Sequence, residues 1–210
     1  MNAIEKRNAL LGETLVKNFN SRFFEAYYCA TKEEAAQKAL SLIEEGSSVS
    51  WGGGMSLFEC GLIDALKEGN YVLYDRAAVP PEQKEDIYRK AFYVDTYLMS
   101  ANAVSEKGEL VNIDGTGNRL AAMCFGPKQI IVVAGLNKVT PDLDSAMKRA
   151  RGTASPINTQ RFGLNTPCTK TGACADCTSP DCICAQILTT RISRPKGRIK
   201  IVFCGEDLGY

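Results

Sequence analysis

Gln129-Ile130-Ile131-Val132-Val133-Ala134 is the stretch on which the fold turns. Almost every side chain is apolar and most are β-branched. That composition suits a strand buried on both faces, as happens when helices cover both sides of a parallel sheet. Working outward, short segments at Phe23–Cys29, Ser48–Trp51, Tyr71–Tyr74, Tyr93–Met99 and Ile199–Phe203 also read as strands. Helical patterns lie between them. Ile4, Leu11, Leu15 and Phe19 recur at helical spacing over residues 2–19. Thr31 with Glu34 has the form of a capping box, and Gly46 is the expected stop of that helix. A single helix carrying Leu57, Phe58, Leu62, Ile63 and Leu66 is expected next, then another opened by Pro80-Pro81, where proline is tolerated in a first turn. Two more are expected from Pro141 through Arg151 and from Ser155-Pro156. Glu109–Ile113 and Leu120–Cys124 read as β segments joined by Asp114-Gly115-Thr116-Gly117-Asn118. Strands alternating with helices predict an α/β domain of three layers around a largely parallel sheet.

With 210 residues, 45% of them hydrophobic, the chain can bury one good-sized core. The expectation is one domain over residues 1–210, with an N-terminal helix over 1–20 and a cysteine-rich metal-binding segment over 166–186. Lys and Arg number 25 against 24 Asp and Glu, which gives no reason to propose nucleic acid or a membrane surface as partner. Charges interrupt the N-terminal apolar positions, unlike a signal peptide, and no run approaches the roughly 20 apolar residues of a membrane span. A cytoplasmic protein is expected, and there thiols stay reduced. Histidine is absent. That removes imidazole ligands and the usual near-neutral base, so a metal must be held by sulfur or oxygen and protons moved by Glu, Asp, Lys, Tyr or Cys.

Five of the nine cysteines fall between residues 168 and 184, in TPCTKTGACADCTSPDCICAQ. Cys174 and Cys177 form a CxxC pair able to grip one centre from a single turn, with Cys168 upstream and Cys184 downstream to close the cage. Four thiolates suit tetrahedral zinc or the corners of a [4Fe–4S] cluster. Zinc frameworks usually show two CxxC knuckles, and here there is one, which favours iron–sulfur while leaving zinc as the alternative. Cys182 reads as a bystander or substitute ligand. Cys29, Cys60, Cys124 and Cys204 sit singly in apolar segments and read as small core residues.

Two further segments carry chemistry. In SSVSWGGGMSLFECG, Gly52, Gly53 and Gly54 stand between a strand and a helix, where backbone amides approach a ligand closely and Ser56 adds a hydroxyl. This suits a phosphate or carboxylate; the alternative is a tight βα turn. In SANAVSEKGELVNIDGTGNR, Asn102, Glu106, Asp114, Asn118 and Arg119 bring polar groups between core strands. Glu106 is the candidate acid, base or nucleophile, with an exposed hairpin residue as the plainer reading. Asp114 and Asn118 also suit turn-stabilising side chains.

Taken together, WGGGMSLFECG, SANAVSEKGELVNIDGTGNRLAAMCFGPKQIIVVAGLNKV and KGRIKIVFCGEDLGY resemble the LUD family (lactate utilisation domain, formerly DUF162). The resemblance implies a fold similar to the sugar-phosphate isomerase and CoA-transferase superfamily, with ligands near glycine-rich βα turns. On it, Gly52, Gly53, Gly54 and Ser56 match the anion-binding turn, and Asn102, Glu106, Asp114 and Asn118 the facing wall. It further implies Cys168, Cys174, Cys177 and Cys184 as ligands of a [4Fe–4S] cluster serving oxidation of a small hydroxy acid such as lactate. A flavin or iron–sulfur redox partner is implied with it, and a homodimer is expected. The other functions expected are an enzyme whose anion pocket takes a phosphosugar, CoA ester or folate-like acid, and a non-enzymatic subunit with structural zinc.

Overall fold

The apolar run at 129–135 becomes an inner strand of a six-stranded parallel sheet in a computed structural model that describes all 210 residues. The chain runs α1 (Ala3–Asn20), β1 (Glu25–Cys29), α2 (Lys32–Ser41), β2 (Ser48–Trp51), α3 (Met55–Glu59), α4 (Leu62–Glu68) and β3 (Val72–Tyr74). It continues through α5 (Lys84–Lys90), β4 (Thr96–Met99), β5 (Ala103–Ser105), β6 (Leu110–Asp114), α6 (Asn118–Cys124), β7 (Gln129–Gly135) and β8 (Val139–Thr140). Then come α7 (Leu143–Arg149), α8 (Ser155–Phe162), α9 (Pro167–Thr171), β9 (Gln186–Thr190) and β10 (Ile199–Cys204).

The large sheet has the order β1-β10-β7-β4-β2-β3, and every pairing in it is parallel. β7 alternates between two cores. Ile130, Val132 and Ala134 pack with Leu15 and Phe19 of α1 and with Tyr97, Ile201 and Phe203. Ile131 and Val133 face Ala35 and Ala39 of α2, Leu57 of α3 and Leu62, Ile63 and Leu66 of α4. Each such aliphatic side chain contributes about 1.5–3 kcal/mol through burial, which is why both faces of this strand must be apolar. A second sheet, β8-β5-β6-β9, lies beside the first. Ala146 of α7 and Ala150 after it cover the second sheet's Ala103, Val111 and Ile113.

The structure departs from expectation in several places. Leu120–Cys124 is helical, not a strand. Gly117, at φ +87°, turns the chain ahead of α6. The Asp114 carboxylate accepts the Arg119 N–H at 3.0 Å, and Leu120, Ala122 and Met123 are buried on one face. The expected helix over Leu57–Leu66 breaks into α3 and α4 at Gly61, whose φ of +78° lies where a side chain is strained. β4 begins at Thr96 rather than Tyr93, which is 86% exposed. Ile4 stays exposed while Leu15 and Phe19 are buried, so only the later part of α1 docks. α2 ends at Ser41, ahead of Gly46. Thr31 caps it by accepting the Glu34 N–H, but Glu34 takes the Ala30 N–H instead of closing the box. Cys29, Cys60 and Cys204 are buried as expected, whereas Cys124, at the end of α6, is exposed.

Candidate functional site

β2 and β4 are neighbours whose onward connections run in opposite directions along the sheet, β2 to β3 on one side and β4 towards β7 on the other. Such a switch point leaves a crevice at the carboxyl ends of the strands, where open α/β sheets bind ligands. Gly53 and Gly54 leave β2 there and Ser100 leaves β4. A Cβ on Gly54 would lie 3.1 Å from the Ser100 Cβ, so the glycine permits this approach.

A cavity of about 220 Å3 opens at this point. Its lining includes Gly53, Gly54, Ser100, Asn102, Asp114 and Asn118. Arg76, Arg119, Lys138 and Arg161 give it four basic side chains against the single acid Asp114. Asp114 is committed to Arg119, whose Nε lies 3.2 Å from its carboxylate. Arg161 donates to the Gly53 carbonyl at 3.1 Å. The surplus positive charge is of the kind that suits a small anion.

Lys138 forms the floor. It is 3% exposed, and its Nζ lies 2.9 Å from the Ser56 Oγ and 3.0 Å from the Ser100 Oγ. The Ser56 hydroxyl donates onward to the Leu208 carbonyl at 3.1 Å. Burial, helped by the Arg149 and Arg119 charges and opposed by Glu59, pulls the Lys138 pKa down to about 7. Lys138 was missed in the sequence reading, as were Arg76 and Arg161. The available signal was a lysine just past the exit of the most apolar strand, in GLNKV.

The expected anion-site residues mostly meet. Gly53, Gly54, Asn102, Asp114 and Asn118 line the cavity, and Ser56 stands behind it against Lys138. Gly52 sits under the Arg119 side chain, 2.8 Å from where its Cβ would be. Asn102 is partly structural: its Oδ1 accepts the Ile113 N–H at 2.9 Å. Glu106 is set apart. It occupies the turn between β5 and β6, with its N–H on the Thr140 carbonyl and its carbonyl on Asn18, and it is not in the cavity wall. The hairpin register carries it beyond the end of β5, away from the switch point.

Beside the first cavity lies a second, of about 170 Å3. Cys168, Cys174, Cys177, Cys182 and Cys184 all line it, and all are free thiols. Cys168 is held at the start of α9 by the Thr159 and Thr166 hydroxyls, 3.4 and 3.1 Å away. Burial raises its pKa, but these hydrogen bonds outweigh that and leave it below the ordinary thiol value. Burial pushes the Cys184 thiol up. Arg151 pairs with Asp176 and approaches the Cys174 sulfur. No three of these groups close to the spacing of a single-ion site. Thiolate donors alone, with no imidazole among them, suit a polynuclear iron–sulfur cluster or zinc.

The chain matches the LUD domain family over residues 12–204 and belongs to that family. Its fold is similar to the crystal structure of a DUF162 family protein from Deinococcus radiodurans, at 9% identity and a TM-score of 0.51, covering 95% of this chain and 97% of that one. A weaker likeness, at 16% identity and a TM-score of 0.37, covers 66% of this chain and 57% of eIF2B delta from Chaetomium thermophilum. No curated protein matches the chain. No helix is long and apolar enough to cross a membrane.

Proposed function

We propose that the protein is an iron–sulfur redox component that binds a small carboxylate-bearing substrate, of the type represented by a 2-hydroxy acid such as lactate. The observation that carries this reading is adjacency: Ser155 and Ile183 line both the basic cavity and the cysteine-ringed one. A substrate in the first therefore sits one side chain's thickness from the second. A [4Fe–4S] cluster held by Cys168, Cys174, Cys177 and Cys184 would supply one-electron transfer. Lys138 and Ser100 meet the substrate's carboxylate at the floor of the cavity, and Arg76, Arg119 and Arg161 add positive charge around it. An iron–sulfur or flavin partner would be needed to take up the electrons.

Anaerobically purified protein is expected to be brown, with broad visible absorption that bleaches on reduction and disappears in Cys174→Ser. Colourless protein carrying stoichiometric zinc overturns the reading. A second reading is favoured by the Lys138, Ser100 and Ser56 trio, which needs no metal: acid–base chemistry on a phosphosugar, CoA ester or folate-like acid in the same cavity. Turnover of such a compound that survives loss of all cluster ligands would select it.

A further inference from the structure

We infer that Lys138 is the proton-carrying residue of the basic cavity: it stands as a neutral amine until a small carboxylate or phosphate anion docks against it and Ser100, and it then takes up a proton. The inference deepens the reading of this cavity as an anion site and is independent of what the cysteines hold.

The hydrogen-bond pattern suits a neutral amine, with two N–H groups and one lone pair. Ser56 gives its proton to the Leu208 carbonyl, so its oxygen accepts an N–H from Lys138 at 2.9 Å. Ser100, on the cavity side, accepts a second N–H from Nζ at 3.0 Å and passes its own hydroxyl proton to Ser56 at 3.1 Å, so two N–H groups are used and the third position on nitrogen has no protein acceptor. Lys138 takes part in none of the ion pairs of the molecule.

The charges around it point the same way. Arg119 and Arg149 act against a cation, and Glu59 acts for one. The Glu59 carboxylate, however, is engaged by the Gly209 N–H at 2.6 Å. Asp114 is spent on Arg119, while Arg76 and Arg161 add positive charge across the cavity. A protonated Lys138 therefore has only the more distant Glu59 to offset it and no ion-pair partner until an anion arrives, and its lowered pKa agrees with that. A docked anion supplies an opposite charge within hydrogen-bond reach and favours the protonated form.

Two consequences follow. Anion capture carries a proton into the site, so affinity falls about tenfold per pH unit above the free-site pKa, until the pKa of the bound complex is reached. The proton on Nζ then lies beside the ligand. Passing it to a ligand oxygen breaks the N–H bond, forms an O–H bond and returns the lone pair to nitrogen; the reverse step takes a hydroxyl proton from the ligand.

The test follows the lysine side-chain resonances of anaerobically purified, 13C,15N-lysine-labelled full-length protein from about pH 6 to about pH 11. The Lys138 signal is identified by its absence in Lys138→Met, or by its displacement in Ser100→Ala should that variant not fold. It is expected to titrate about three pH units below the other lysines. Saturating inorganic phosphate or lactate is expected to raise the midpoint by at least about one unit, and the anion that does so identifies the ligand chemistry. A Lys138 signal that titrates with the other lysines overturns the inference. So does a low midpoint that stays put while calorimetry shows either anion binding, and in that case the anion reading of the cavity survives. If neither anion binds, the cavity reading and the inference fall together.

Discussion

The two adjoining cavities are built in opposite ways. The basic one hangs from the ends of β2, β4 and β7, whose side chains are anchored in fully buried cores. The cysteine-ringed one is closed largely by residues 172–185, which contain no helix or strand and no buried residue. Its ties are polar and few, such as the Asn165 N–H on Asp181 and the Ser179 hydroxyl on the Asn165 carbonyl. One site is thus preformed by hydrophobic burial. The other has no such anchoring, and on the proposed iron–sulfur reading the free energy of metal binding would become ordering free energy in this segment.

The comparison can be broken most forcefully through the core. Phe203 is fully buried on β10 and packs on Phe19 with ring centroids 5.3 Å apart. Phe203→Ala is expected to cost about 3–5 kcal/mol in denaturant unfolding and to loosen anion binding with it. A loss under about 1 kcal/mol would mean that the sheet does not hold the basic cavity as described.

A smaller effect sharpens the electrostatic side. The folded-state pKa of Lys138 is about 7 against an ordinary 10.5, so between these values the unfolded chain binds more protons. The Lys138 contribution to stability therefore rises with pH, by up to about 1.4 kcal/mol per unit. Lys138→Met is expected to remove that slope and to be the more stable protein at pH 7. Urea unfolding of both proteins between about pH 7 and pH 8.5 checks it, since the thiols are common to both and drop out of the difference. Equal slopes in the two proteins would contradict the prediction.

The smallest effect belongs to the cysteine segment. Cys174 is exposed, so in metal-free protein Cys174→Ser is expected to shift global stability by less than about 0.5 kcal/mol. After metal loading, the parent protein should resist limited proteolysis across residues 172–185 and the variant should not. A large loss in the metal-free state would show that the segment is part of the cooperative core.

Much of this was legible in the chain. The β-branched run of β7 demands apolar cover on both faces and so a layered α/β fold. The three glycines after β2 mark a close backbone approach whatever surrounds them. The clustering of Cys168 to Cys184 marks a thiol site from spacing alone. α6 was misread because its apolar residues suit a short strand as well as a helix, and only the left-handed Gly117 and the Asp114 contact to Arg119 decide between them. Glu106 drew attention as a carboxylate between apolar segments. Hairpin register is a pairing between strands, and local pattern does not encode it.

What the sequence determined by itself was composition-bound: an α/β core, no imidazole chemistry, a concentration of thiols and a glycine turn suited to an anion. Tertiary structure alone decided which side chains meet. Lys138, Ser56 and Ser100 are far apart along the chain, and their environment exists only where β2, β4 and β7 end together. A lysine is an ordinary surface cation until the fold removes water from around it, and the same burial turns it into a group that titrates near neutrality.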